Sequence, residues 1–165
     1  MKTKTVISEI THDDLVNLFS TALYGSTWLS ATYRTEDWEF VKGQQLKETD
    51  ASLEDKLAYI LLNDGHIWFY DHIAEDKDEV YQGRFCENCY WDYTRNMACY
   101  EVSLDSIRQG LQSAMDGEFI CYCNEDEKDW AKNVVCKMLQ YDGGDYDIDD
   151  AELIMQIILF SEVVY

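Results

Sequence analysis

Ser52-Leu-Glu-Asp-Lys-Leu-Ala-Tyr-Ile-Leu-Leu-Asn-Asp-Gly-His-Ile-Trp-Phe-Tyr-Asp-His-Ile73 changes its hydrophobic period in the middle, and that change decides the fold class. Ser52 with Asp55 three residues on is a helix-start signature, and Leu57, Ile60 and Leu61 recur at helical spacing behind it. Asn63-Asp64-Gly65 tolerates the left-handed backbone that ends helices. His66 to Ile73 is too short, aromatic and β-branched to continue the helix, so it reads as a strand.

The same punctuation recurs on both sides. Thr11 precedes His12-Asp13-Asp14, and Leu15, Leu18, Phe19 and Ala22 make an apolar stripe up to Gly25, followed by a strand-like Ser26 to Tyr33. Ser103 or Asp105 caps a helix carrying Ile107, Leu111 and Ala114 to a stop at Gly117, with a β-like Phe119 to Cys123 behind it. Between these units the polar run 34 to 51 reads as mostly loop. Val80 to Phe85 reads as a strand paired with His66 to Ile73, and Ala98 to Val102 as a further strand. Glu125 to Leu139 predicts a helix with Trp130, Val134, Val135 and Met138 inward. A last helix starts near Asp147 to Asp150 and buries Leu153, Ile154, Ile157 and Ile158; the end, Phe160 to Tyr165, reads as a strand.

Helices and strands mix without regular βαβ alternation or a glycine-rich nucleotide turn. The expectation is an α+β fold: a single domain over 1–165, about five helices and a small, mostly antiparallel sheet. A chain of 165 residues with 47% hydrophobic content buries a real core. Proline is absent, which leaves turns to Gly, Asn and Asp.

Charge narrows function. Thirty-three acids against 13 bases leave a formal charge of −20, which excludes ordinary direct nucleic-acid binding. The excess grows along the chain: 8 acids and 5 bases in 1–50, 12 and 5 in 51–115, 13 and 3 in 116–165. Three clusters stand out: Glu75, Asp76, Asp78 and Glu79; Glu125, Asp126, Glu127 and Asp129; Asp142, Asp145, Asp147, Asp149 and Asp150. Carboxylates spaced over a rigid surface imitate a phosphate array, and tyrosine and tryptophan are favoured interface anchors. These residues are the candidate partner-binding set.

Six cysteines without an export signal are expected to be reduced thiols or metal ligands. Cys86-Glu-Asn-Cys89 with Cys121-Tyr-Cys123 could surround one zinc, although the second pair is C-x-C and Cys99 is a rival ligand. An EF-hand frame started at Asp145 puts Asp150 where glycine is required and Gln156 where a bidentate glutamate is required, so calcium is rejected. His12, His66 and His72 are spaced as unrelated histidines, and no nucleophile, P-loop or metalloprotease motif occurs. No apolar run approaches a membrane span, and the expected setting is the cytoplasm.

The stretches Ile10-Thr-His-Asp-Asp-Leu-Val-Asn-Leu-Phe-Ser-Thr-Ala-Leu-Tyr-Gly-Ser-Thr-Trp28, Leu53 to Gly65, Val102-Ser-Leu-Asp-Ser-Ile-Arg-Gln-Gly-Leu111 and Asp149 to Tyr165 cover about a third of the chain. They resemble small acidic proteins encoded by bacterial phages and mobile elements. These are framework motifs, so the resemblance implies a genomic setting and no active site. Acidic anti-restriction and anti-CRISPR inhibitors share this class of character. The expected function is therefore non-enzymatic: occlusion of the nucleic-acid-binding surface of a host defence nuclease or complex. The alternatives are a zinc-stabilised protein adaptor and a toxin-immunity protein.

Overall fold

The computed structural model describes residues 7, 9–45, 51–74, 87–121, 126–140 and 147–164. In chain order the elements are α1 (His12–Gly25), β1 (Leu29–Thr32), α2 (Thr35–Gln45), α3 (Leu53–Leu62), β2 (Ile67–Asp71), β3 (Asn88–Asp92), β4 (Met97–Val102), α4 (Leu104–Asp116), α5 (Asp126–Gln140) and α6 (Ile148–Phe160). The class is α+β, with six helices among the described residues, close to the expected number of about five. The four strands form one antiparallel sheet in the order β1-β2-β4-β3.

Local chemistry accounts for most helix starts. Thr11, Ser52, Ser103 and Asp147 each accept the backbone N–H three residues on, and Asp14, Asp55, Ser106 and Asp150 reach back to the cap backbone. Each box satisfies two N–H groups that a helix leaves without intrahelical partners. Gly117 closes α4 at φ 69°, the left-handed conformation that glycine adopts without penalty.

Register sorts the strand side chains onto two faces. Phe69 opposes Tyr100, which opposes Cys89; these point with Leu29, Ile67, Ala98 and Val102 into the main core. Trp68, Tyr70 and Cys99 form a second cluster on the other face, with Met97 packed against it. On the core side Phe19 meets Phe69 with ring centroids 5.7 Å apart, and Phe160 meets Tyr100 at 5.3 Å and Trp28 at 5.8 Å. Helix α6 is the central pillar: every residue from Leu153 to Phe160 is buried, the polar Gln156 included, so this stretch is enclosed on all sides.

Several expectations are corrected. The run 34 to 51 holds helix α2, with Glu36 and Asp37 in its first turn; among its described side chains only Trp38 and Val41 are buried, too short a stripe to register as periodicity. Cys86 to Ser103 contributes a second strand, β3, joined to β4 by a turn in which Asn96 takes φ 56°. Trp130 is not inward but 39% exposed, while Val134, Val135 and Met138 are buried as expected. Phe160 ends α6 instead of opening a strand, and the flanking β-like stretches meet only in a parallel bridge, Ile120 to Glu162. The expected strand Val80 to Phe85 lies outside the described residues. No helix among the described residues is long and apolar enough to cross a membrane.

Candidate functional site

Two surfaces concentrate functional side chains, one at the start of α5 and α6 and one on the outer face of the sheet.

At the first, Asp126, Glu127 and Asp129 occupy the first turn of α5, and Asp147, Asp149 and Asp150 form the cap and first turn of α6. The two starts are tied together: the Trp130 indole N–H donates to Asp150 Oδ1 at 2.5 Å, while Asp150 Oδ2 accepts the Asp147 N–H at 3.1 Å. Asp150 is 9% exposed and both its oxygens are engaged within the fold, so it ties the two helix starts together. Glu127 accepts from the Cys121 thiol. It also lines, with Trp130, Asp149, Glu152, Leu153 and others, a cleft of about 140 Å³. Asp126, Asp129, Asp147 and Asp149 are exposed, and neither Asp129 nor Asp149 has an ion pair with any described residue. Glu127, Asp149 and Glu152 thus line one cleft beside the half-exposed Trp130, at the joined starts of two acidic helices. Ile148, 43% exposed, adds an apolar side chain at the same end of α6.

The structure thus joins the described members of the second and third acidic clusters. Glu75, Asp76, Asp78, Glu79, Glu125, Asp142 and Asp145 lie outside the described residues. So do Cys86 and Cys123. Of the other two candidate zinc ligands, Cys89 is on β3 facing the core and Cys121 is beside Glu127. Among the described residues no three His, Cys, Asp or Glu side chains are grouped to hold a metal.

The histidines have separate surroundings. His12 lies 3.2 Å from both Asp13 and Asp55, His66 lies 2.9 Å from Glu101 and 3.3 Å from Glu87, and His72 bonds Ser30 Oγ at 2.7 Å.

The second surface is one the sequence did not single out. Arg34, immediately before α2, places its guanidinium 4.7 Å from the Trp68 ring centroid. Arg95, in the β3–β4 turn, stands 4.5 Å from that of Tyr70. Cys99 lies beneath Tyr70 and Tyr90, and burial pushes its thiol upward in pKa, partly offset by hydrogen bonds from both hydroxyls. Burial also pushes Tyr70 up to about 12 and Tyr90 higher than an ordinary tyrosine. Both phenols therefore stay protonated donors at neutral pH. The sequence signal for this surface is the alternation of Trp68 and Tyr70 on one strand, while Arg34 opens a polar run without clear periodicity.

Searches of protein-family models, characterised proteins and solved structures return no match to this chain.

Proposed function

We propose that this protein is a non-enzymatic inhibitor whose α5–α6 rim occupies the basic, nucleic-acid-binding surface of a partner protein. The observation that carries the reading is the Trp130–Asp150 link, because it ties together the acidic first turns of two separate helices. Asp126, Asp129, Asp147 and Asp149 supply negative charge on rigid helical scaffolding, which steers encounter with a basic surface and discriminates against acidic ones. The exposed edge of Trp130 supplies the aromatic anchor that charge alone lacks.

The positive ends of the two helix dipoles face the same acids and stabilise them locally, so the rim costs the fold little. The resemblance to acidic proteins of phages and mobile elements favours a host defence nuclease as the partner. A basic toxin would be bound through the same chemistry.

The test is capture of basic nucleic-acid-binding proteins from a bacterial lysate at low salt, repeated at about 0.5 M salt, where charge pairs are screened within a few ångströms. Any captured protein is then assayed for duplex DNA binding with and without this chain. Supporting outcomes are loss of the partner at high salt, displacement of its DNA, and a slower on-rate for the combined Asp126→Lys, Asp129→Lys and Asp149→Lys variant. Salt-independent capture with unchanged association kinetics overturns the proposal.

A further inference from the structure

The outer face of the sheet carries a groove of about 270 Å³ whose lining includes Arg34, Arg95, Trp68, Tyr70, Tyr90 and Tyr33. Its chemistry is the reverse of the rest of the surface. The chain holds 33 acids, yet no carboxylate lies within ion-pair distance of either guanidinium among the described residues. Neither arginine is spent on the fold through charge. Each is instead stacked on a ring, which holds the planar fork in one orientation and leaves its edge N–H groups to donate sideways.

Spacing adds a second constraint. Trp68 and Tyr70 are two residues apart on one strand, roughly 7 Å, and the two guanidiniums above them line the same groove, where an oxyanion can accept from planar forks. Two acids on this face are engaged elsewhere: Asp92 accepts from the backbone N–H groups of Thr94 at 2.9 Å and Arg95 at 3.1 Å and from the Tyr70 hydroxyl at 3.5 Å, and Glu101, the cross-strand neighbour of Trp68, lies 2.9 Å from His66 Nδ1. Among the described residues the groove is lined by aromatic rings, the two guanidiniums and Thr32. Tyr90, on the edge strand, is 38% exposed and offers a ring to which no guanidinium is stacked. The volume lies just below the usual range of ligand pockets, which suits a ligand no larger than a mononucleotide and not a polymer.

We infer that the groove binds a small phosphate monoester bearing a planar ring, with the phosphate held between Arg34 and Arg95 and the ring against Tyr90. Inorganic phosphate and the phosphate of a nucleotide share the clamp, and the ring distinguishes them. This inference is independent of the acidic rim, which belongs to helices on the core side of the sheet.

Calorimetric titration of the full chain at low ionic strength tests it, using adenosine monophosphate, inorganic phosphate and adenosine as probes. Adenosine monophosphate is expected to bind at least tenfold more tightly than either of the others. Arg34→Lys and Arg95→Lys retain the charge and lose the fork, and each should weaken nucleotide binding about tenfold. Tyr90→Ala should weaken the nucleotide and leave inorganic phosphate unchanged. Near-ultraviolet circular dichroism and thermal midpoints confirm that these surface variants fold. Absence of nucleotide and phosphate binding by the wild-type chain up to about 10 mM overturns the inference, since that ceiling is weaker than any functional clamp. Adenosine binding as tightly as the nucleotide, or lysine variants binding as tightly as wild type, overturns it equally.

Discussion

Gly110 of α4 lies directly against Ile158 of α6: a Cβ placed on it would stand 2.8 Å from the Ile158 Cα and 2.6 Å from its Cγ1. The first of these is backbone and cannot step aside, so the glycine sets how closely α4 approaches the central helix. Intrinsic propensity favours alanine over glycine in a helix by ~1 kcal/mol. Packing here outweighs it, and Gly110→Ala should destabilise by about 1–3 kcal/mol. Gly43 of α2 has nothing within 4 Å of its would-be Cβ, so Gly43→Ala should stabilise by about 0.5–1 kcal/mol. Urea midpoints of the two variants should move in opposite directions.

Trp130→Phe keeps the ring and removes the donor to Asp150. A hydrogen bond to a carboxylate contributes about 1.5–3 kcal/mol, and partial exposure lets water replace part of it, so a loss of about 1–2 kcal/mol is expected in denaturant titration. The variant should also loosen the start of α6 first, seen as faster amide exchange at Asp149 to Leu153 with little change in α1. Uniform exchange across the chain would show that the link is not what joins the two helix starts.

Alkaline pH should expose the Cys99 cluster. Burial raises the thiol above its ordinary 9.0 and raises Tyr70 from 10.0 to about 12. In this window the unfolded chain releases protons that the folded chain retains, so stability from these groups is complete below pH 9 and is lost as pH climbs towards 12. Stability measured by urea titration should fall between about pH 9 and 11, and Cys99→Ala should flatten the lower part of that slope whatever it does to the absolute value. At neutral pH Cys99 should react with a thiol reagent more slowly than Cys121 or Cys136, which are only half-buried.

Salt should act on folding and on partner binding with opposite signs. A net charge of −20 repels itself in the compact state, and about 0.3 M sodium chloride shortens the screening length to several ångströms. The thermal midpoint is expected to rise by several degrees and then level off, while association through the acidic rim slows over the same range. A midpoint that falls with salt would mean that ion pairs, not repulsion, dominate the surface.

The helices with legible boundaries are those whose start is written in contiguous residues. Ser52 with Asp55, Thr11 with Asp14 and Ser103 before Leu104 are local signals, and the structure uses each as a reciprocal cap. Helix α2 escaped notice because only Trp38 and Val41 of its described side chains turn inward, and Trp38 is held there partly by Lys56 of α3, whose ammonium lies 5.5 Å from its ring centroid. Strand β3 escaped because its pairing with β4 is tertiary. Trp130 obeys the helical period yet sits at the rim, since its N–H seeks an acid twenty residues away on another helix.

By itself the sequence determined the α+β class, the capped helix starts, the apolar stripe Leu153, Ile154, Ile157 and Ile158 of α6 and the heavy negative charge, because composition, caps and periodicity are properties of neighbouring residues. Only tertiary structure decided which acids line one cleft and which, like Asp150, turn inward to hold the fold. It alone set Arg34 and Arg95, sixty-one positions apart, over adjacent rings of one strand. Strand register and helix contact bring distant residues together, and no local spacing encodes the result.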